Sequence, residues 1–295
     1  MPSGDTFLTN VEDGLNTMVA SARQRVEFPN DVMVKLADRQ TLEKGTGTAW
    51  IEFNAENLTA QNYNETDEIA NAQQLSGALL SATPSLVAIK TFIGRRVEAR
   101  LSPVAFKTFG TLAQNAIQRL KNTDGHAIFA GASTTLAGTG TTLGFGHILA
   151  GARRITSDAT EPGVGTLAAV LHGYGVHDIQ TEILAGIGTY PIPDGLTAEV
   201  ARKGFRGMLG DVNILEDGLI VVDATPDARG GVFLAGKGGA LVIVQGLSPW
   251  KESQPRPGTG YGGVDVWLKD EYIWVERSAG NWLYGILHDA TAPTS

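Results

Sequence analysis

The densest group of side chains with acid–base or metal-binding chemistry lies in HGYGVHDIQTE, residues 172–182. Imidazole and carboxylate groups bind zinc and transfer protons, so this stretch is the candidate site for a soluble α/β enzyme. Asp178 and Glu182 are four residues apart and share a helix face, whereas His172 and His177 are five apart and do not. The spacing favours a helix start with a solvated acidic face over a metal or catalytic site.

Other segments that resemble catalytic motifs lack a feature that the chemistry needs. GKGGAL (236–241) has no Ser or Thr to bind magnesium, and GTGTTLG (138–144) follows a predicted helix where a dinucleotide site requires a strand. The remaining histidines, His126, His147 and His288, stand singly, which favours structural roles. The sequence therefore predicts no catalytic residue, no metal site and no cofactor.

Composition excludes several further classes of protein. The 295 residues include no cysteine, which removes disulfides and thiolate metal sites and suits assembly in a reducing cytosol. The net charge of −8 argues against a dedicated nucleic-acid binder, although segment 102–140 has a local positive balance. The N-terminus lacks the apolar run of a secretory signal, and the uncharged stretch 125–152 is too rich in Gly and Thr for a membrane span. We expect no membrane partner.

The N-terminal segment, residues 1–40, has the pattern of an arm. Its apolar residues suit a short amphipathic helix, in which Val11, Leu15, Met18 and Val19 repeat at helical spacing. So small an apolar surface does not offset the entropy lost on folding. The arm must therefore pack on another structure.

A long polar ribbon, residues 54–75, lies between two segments of strand composition, 46–53 and 85–101. We predict that these two strands pair as a hairpin. Its connection far exceeds the usual 2–5 residues, and connections of that length are usually functional. The acids of the ribbon have no Lys or Arg between Lys44 and Lys90, so we expect them to meet basic groups of another chain.

The rest of the chain reads as one long helix followed by mixed elements. Pro103 fits the first helical position, and apolar residues at i, i+3, i+4 and i+7 continue the helix to about residue 130. Residues 141–246 have the pattern of a mixed α/β domain. Residues 247–295 predict strand, turn and strand.

The order of these segments resembles the major capsid proteins of tailed bacteriophages, which share the Hong Kong 97 fold. LTAQNY, EIANAQQL and TPSLVAIK resemble the E-loop block of a phage subgroup, and AQNAIQRLKNTDGHAIFAG resembles its spine helix. VLHGYGVHDIQTEILAG and GFRGMLGDVNILEDGLI are similar to its axial-domain segments. The resemblance covers most of the chain and depends on the collinear order of the blocks.

The resemblance implies an α+β fold divided into five parts. These are an N-terminal arm (1–40), an E-loop β-hairpin (41–101), the spine helix of a peripheral domain (102–140), a mixed α/β axial domain (141–246) and a return to the peripheral sheet (247–295). The tip of the ribbon has no lysine, which departs from the type member of the fold and counts against an isopeptide cross-link from that position.

The resemblance also implies contacts between subunits and with nucleic acid. The E-loop residues expected at the intersubunit contact are Glu56, Tyr63, Glu65, Asp67 and Glu68. Their expected basic partners on an adjacent subunit are Arg95, Arg96, Arg100 and Lys107. The residues expected to face DNA without sequence specificity are Arg23, Arg25, Arg119 and Lys121.

The function that this resemblance implies is structural. The chain would assemble with itself into hexamers and pentamers of an icosahedral shell around double-stranded DNA, in the host cytoplasm, and remain in the virion. Scaffolding, portal and decoration proteins are the further partners expected. Two alternatives stay open: an encapsulin-like cargo compartment, and a soluble α/β enzyme that uses residues 172–182.

Overall fold

A computed structural model describes residues 31–43, 45, 47–58, 60, 62, 77–95, 103–185, 208–257, 262–278 and 280–294. Within these residues the α-helices are α1 (Val32–Leu36), α2 (Pro103–Gly131), α3 (Phe145–Thr156) and α4 (Gly173–Ala185). None of these described helices combines the length and apolar character that a bilayer span requires.

The described strands are β1 (Asp38–Thr41), β2 (Trp50–Ala55), β3 (Gly77–Ala82), β4 (Ser85–Gly94), β5 (Thr135–Ala137), β6 (Thr166–Leu171), β7 (Met208–Leu209), β8 (Val212–Glu216), β9 (Asp227–Ala235), β10 (Leu241–Gln245), β11 (Trp250–Arg256), β12 (Gly263–Glu276) and β13 (Leu283–Asp289). They form a five-stranded sheet ordered β1-β10-β12-β11 with β4 also paired to β12, a six-stranded sheet ordered β5-β13-β9-β6-β8-β7, and the two-stranded sheet β2-β3.

The long helix α2, which the apolar periodicity predicts, connects the two larger sheets. On the five-stranded sheet, the indole N–H of Trp274 donates to the Lys121 carbonyl at 2.9 Å. Toward the six-stranded sheet, the ring of Phe129 lies 5.7 Å from that of Phe233. Phe129 also packs against Gly231, where a Cβ atom would clash with its ring. The second half of α2 therefore contacts both sheets, the five-stranded sheet at Lys121 and the six-stranded sheet at Phe129.

The six-stranded sheet holds most of the apolar core. Strand β6 is a continuous apolar run, and Leu167 to Leu171 are buried. Helix α3 covers the sheet with Ile148, Ala152 and Ile155, which recur at i, i+4 and i+7 and are buried. These elements agree with the mixed α/β pattern predicted for residues 141–246.

The predicted pairing of segments 46–53 and 85–101 is wrong. Strand β2 instead pairs antiparallel with β3, with Phe53 opposite Leu79. Strand β4 pairs along β12, from Ser85 opposite Tyr272 to Gly94 opposite Gly263. Pro84 lies between β3 and β4, and its missing N–H separates one apolar stretch into two strands that join different sheets.

A boundary at residue 246 does not separate the two larger sheets. Strand β10 lies before this boundary but pairs with β12 in the five-stranded sheet. Strand β13 lies after it but pairs with β5 and β9 in the six-stranded sheet. The described chain thus crosses between the two larger sheets three times, from β4 to β5, from β9 to β10 and from β12 to β13.

Candidate assembly surfaces

The two carboxylates of residues 172–182 connect α4 to the segment at which α3 begins. Glu182 accepts a hydrogen bond from the backbone N–H of Phe145 at 2.7 Å, and Asp178 accepts one from that of Leu143. Both carboxylates therefore satisfy N–H groups at the beginning of α3, where negative charge also complements the helix dipole. The predicted solvated acidic face is exposed at Glu182 and half-buried at Asp178, whose pKa is raised by burial.

The two histidines of this stretch do not complete a metal site. His172 is half-buried, packs edge-on against Tyr174 with ring centroids 4.6 Å apart, and has its pKa lowered by burial and by His288. His177 Nδ1 lies 4.0 Å from a carboxylate oxygen of Asp178. Among the described residues, no group of three or more His, Asp or Glu side chains is arranged to hold a metal ion.

Arg277 fixes the base of the β2-β3 hairpin to the five-stranded sheet. Its guanidinium donates to both carboxylate oxygens of Glu52, at 2.6 and 2.9 Å, and to Asp38 at 2.9 Å. A further N–H donates to the carbonyl of Gly239 at 2.8 Å. The planar fork of Arg suits three acceptors at once, and Asp38 has its pKa lowered by its hydrogen bonds to Gly238 and Arg277 despite burial.

One face of this hairpin is apolar and exposed. Ile51, Phe53 and Leu79 point to the same side, with exposed fractions of 58%, 53% and 63%. Beyond β2, the Asn57 side chain donates to the carbonyl of Thr160 at 2.9 Å, and Glu56 is exposed. The hairpin thus carries an apolar stripe, formed by Ile51, Phe53 and Leu79, that its own subunit leaves open to solvent.

A basic cleft lies at the opposite end of the five-stranded sheet. Arg95 and Arg256 line it together with Gly262 and Val264, and its volume is about 350 Å³. The Arg95 backbone N–H donates to the Gly262 carbonyl at 3.0 Å, and the Arg256 guanidinium lies 5.7 Å from the Phe92 ring centroid. The sequence pointed to Arg95 but missed Arg256, which becomes its neighbour only because β4 and β11 lie on either side of β12.

The structure corrects the prediction that Lys121 faces DNA. Lys121 is 6% exposed, and its ammonium group lies 2.7 Å from a carboxylate oxygen of Asp270 and 3.0 Å from the side-chain oxygen of Gln245. It also lies 5.0 Å from the Tyr272 ring centroid. Its charge is neutralised inside the subunit and holds α2 to the five-stranded sheet. Arg119, by contrast, is exposed on α2.

Most of the remaining predicted contact residues lie outside the described residues. Lys107 belongs to α2. The predicted residues beyond the described ranges are Arg23, Arg25, Tyr63, Glu65, Asp67, Glu68, Arg96 and Arg100.

Sequence reasoning missed a buried polar cluster that joins α1, α2 and the end of β8. Asp217 accepts hydrogen bonds from the Asn122 side chain, from His126 Nε2 at 2.8 Å and from the Leu219 backbone N–H at 2.8 Å. Asn122 in turn accepts from the Met33 backbone N–H at 2.9 Å. These bonds lower the pKa of Asp217 despite its burial. The signal that could have revealed this cluster is the pair of polar residues Asn122 and His126 on the buried side of the predicted helix.

Comparisons with known proteins place this fold among capsid chains. Neither a protein-family model nor a curated protein sequence matches the chain. Among solved structures, a chain of Mycobacterium phage Che8 aligns with a TM-score of 0.68 and 12% identity, covering 92% of this chain and 95% of that one. A capsid chain of Cyanophage Pam1 aligns with a TM-score of 0.66 and 10% identity over 99% and 100% of the two chains.

An encapsulin chain shows a similar likeness. The SrpI encapsulin of Synechococcus elongatus PCC 7942 aligns with a TM-score of 0.59 and 11% identity over 98% of this chain and 99% of that chain. These likenesses cover almost the whole chain on both sides. The protein therefore has the mixed α+β fold of phage capsid chains, which confirms the fold class predicted from the sequence.

Proposed function

We propose that this protein is the major capsid protein of a tailed bacteriophage and that it assembles with itself into the hexamers and pentamers of an icosahedral shell. The observation that carries the proposal is the apolar stripe on a hairpin that Arg277 holds in place, in a chain with a capsid fold. Exposed apolar surface of this kind marks a site of protein contact. Its repetition by symmetry turns a modest contact into a stable shell.

The parts of the Hong Kong 97 fold correspond to described elements as follows. The β2-β3 hairpin is the base of the E-loop and α2 is the spine helix. The five-stranded sheet is the peripheral sheet, and the six-stranded sheet with α3 and α4 is the axial domain. The N-terminal arm, predicted as residues 1–40, is confined to residues 1–30, because residues 32–41 form α1 and β1 and β1 pairs with β10 in the five-stranded sheet. The protein is a structural component of the virion, is assembled in the host cytoplasm and catalyses no reaction.

The E-loop contacts an adjacent subunit by apolar and by ionic groups. We assign its acidic residues Glu56, Glu65, Asp67 and Glu68, with Tyr63, to the basic region formed by Arg95, Arg96, Arg100 and Lys107 of the neighbour. Arg256 joins this region because it shares a cleft with Arg95. Opposite charges on two repeated surfaces also fix the register between subunits.

Contact with packaged double-stranded DNA is weak and independent of sequence. Arg119 is exposed on α2 and supplies such a contact together with Arg23 and Arg25 of the arm. Phosphate contacts of this kind weaken as salt rises, because they release condensed counterions. Scaffolding, portal and decoration proteins complete the particle as separate chains.

Size-exclusion chromatography followed by negative-stain electron microscopy tests the proposal. The purified protein is expected to form hollow, closed particles or capsomers that assemble as its concentration rises. A monomer or dimer that persists at high concentration would overturn the proposal and favour an enzyme, which His177→Ala would then inactivate.

The likeness to an encapsulin favours a second candidate, a shell that encloses a protein cargo. The two candidates differ in what a native particle contains and carries. Particles that hold DNA and have one vertex with a portal and tail support the capsid. Particles that hold an enzyme and no genome support the compartment.

A further inference from the structure

An apolar groove of about 340 Å³ lies between the first half of α2 and the five-stranded sheet. Its floor is formed by Ile89, Thr91 and Ile93 of β4 and by Val266 and Leu268 of β12. These strands are paired so that Thr91 lies opposite Val266 and Ile89 opposite Leu268, which places all five side chains on one face. All five are only half-buried, so the subunit leaves this part of the face incompletely covered.

The groove exists because small residues of α2 face this floor. Gly110 and Ala113 line its upper side, and a Cβ atom added at Gly110 would meet no other atom within 4 Å. Farther along α2 the same face of β12 is closed, because Lys121 pairs with Asp270 and the Tyr272 hydroxyl donates to Asp124 at 2.7 Å. Helix α2 is therefore attached to the sheet by polar contacts at Lys121 and Asp124, whereas the groove separates it from the sheet at Gly110 and Ala113.

We propose that this groove binds the amphipathic stretch of the same chain's N-terminal arm, with Val11, Leu15, Met18 and Val19 turned toward the sheet. These residues recur at i, i+4, i+7 and i+8, which is the spacing of one helix face. In the groove the apolar face of the arm would be buried against the apolar floor. This proposal does not depend on the proposed function.

The point at which the described chain begins puts the arm within reach. Asp31 precedes α1, and the Met33 backbone N–H is bound to Asn122 of α2. At 1.5 Å per residue, Gly110 lies roughly 18 Å from Asn122 along the helix. The twelve residues 19–30 span up to roughly 40 Å when extended, so they cover that distance easily. A tether this short gives the arm a high effective concentration at the groove of its own subunit.

Charge at the edge of the groove agrees with this occupant. Lys251 lines the groove and is exposed, and it lies opposite Leu268 in the sheet. In the arm, Glu12 is three residues before Leu15 and seven before Val19, so it borders the apolar face. An acidic group at the rim of the arm helix thus meets a basic group at the rim of the groove.

Disulfide trapping tests the proposal directly, because the natural chain has no cysteine. Met18→Cys combined with Thr91→Cys places one thiol in the arm and one in the groove. Ala88→Cys is the matched control, since Ala88 is exposed on the opposite face of β4. After mild oxidation and denaturation, the Thr91 pair is expected to yield about tenfold more of the faster-migrating intrachain product than the Ala88 pair.

Two results would overturn the proposal. Equal yields from the two pairs would show that the arm has no preferred site, and a covalent dimer as the main product would assign the groove to the arm of a second copy. Shell formation is read separately by microscopy, so a chain that forms particles without the intrachain product would refute this inference alone.

A second variant checks the groove itself. Ala113→Leu adds volume inside it and is expected to lower the intrachain yield of the Met18–Thr91 pair about tenfold, whereas Gly110→Ala adds one methyl group and has a small effect. If Ala113→Leu leaves the yield unchanged while the protein remains folded by circular dichroism, the arm does not use the groove.

Discussion

The β2-β3 hairpin and the six-stranded sheet contain similar apolar residues in opposite surroundings. Phe233 of β9 is fully buried against Phe129, whereas Phe53 of β2 is 53% exposed. The sheet gains its stability from apolar burial within one subunit. The hairpin is held by the polar contacts of Arg277 and leaves its apolar stripe open. The difference is the one expected if the hairpin's apolar residues serve the proposed assembly and those of the sheet serve folding.

Removing the ribbon gives the largest expected difference between the two regions. Deletion of residues 58–72 keeps β2 and β3 and should leave a soluble subunit with an almost unchanged thermal midpoint. Closed shells should be absent by negative-stain microscopy, because the contact with the neighbour is lost. Normal particles from this variant would contradict an intersubunit role for the ribbon.

Truncating one phenylalanine in each region sharpens the comparison. Phe233→Ala should lower the free energy of unfolding by about 3–5 kcal/mol, because it leaves a cavity in the core. Phe53→Ala should change it by less than about 0.5 kcal/mol but slow particle formation. Denaturant titration measures the first effect and light scattering the second. Equal losses of stability would show that Phe53 is part of its own subunit's core.

A buried polar group gives an intermediate effect that depends on pH. Asp217→Asn disturbs the bonds to Asn122 and His126 and should lower the free energy of unfolding by about 2 kcal/mol at pH 7. Because the folded protein lowers the pKa of Asp217 from 3.8, the carboxylate stabilises the fold above that value and loses this effect as pH falls through the lower folded pKa. The difference in the free energy of unfolding between the variant and the natural protein should therefore become smaller as pH falls. A deficit that stays constant from pH 7 down to pH 3 would contradict the assignment.

The smallest expected effect concerns the base of the hairpin. Arg277→Lys cannot reach Glu52, Asp38 and the Gly239 carbonyl together, so the hairpin should open more readily by about 1–2 kcal/mol. Hydrogen exchange of the amides of β2 and β3 measures this opening. Arg39→Lys is the control, since the Arg39 side chain makes a single hydrogen bond to the Val34 carbonyl. Equal rates of amide hydrogen exchange in the two variants would show that Arg277 does not hold the hairpin in place.

Elements that depend on local pattern could be predicted from the sequence. The period of α2, the apolar run of β6 and the Gly-separated strands β9 and β10 each reflect packing of near neighbours along the chain. Strand partners could not be predicted in this way. In segment 77–94, β3 pairs with β2 and β4 pairs with β12. No local feature of the sequence assigns these partners, because the alternation of side chains along the segment would fit either partner strand.

The predicted assembly residues were chosen from charge pattern, and their role stays a prediction. The acidic ribbon without nearby basic residues pointed to contacts with another chain, and Arg95 followed from it. Lys121 was assigned to a basic surface because its partner Asp270 is 149 residues away in sequence. Arg277 and Asp217 carried no pattern that distinguishes a buried ionic contact from a surface charge.

Strand β12 has a geometric consequence for a closed shell. At one end of β12, Gly263 lines the basic cleft. Just after its other end, Arg277 binds Glu52 of the hairpin. The fourteen residues of β12 span roughly 45 Å as extended chain, so the cleft and the point at which Arg277 binds the hairpin are about that far apart in one subunit. If the proposed contact joins the hairpin of one subunit to the cleft of the next, this length contributes to the spacing between their centres. The curvature of the particle would then depend on the angle between neighbouring subunits.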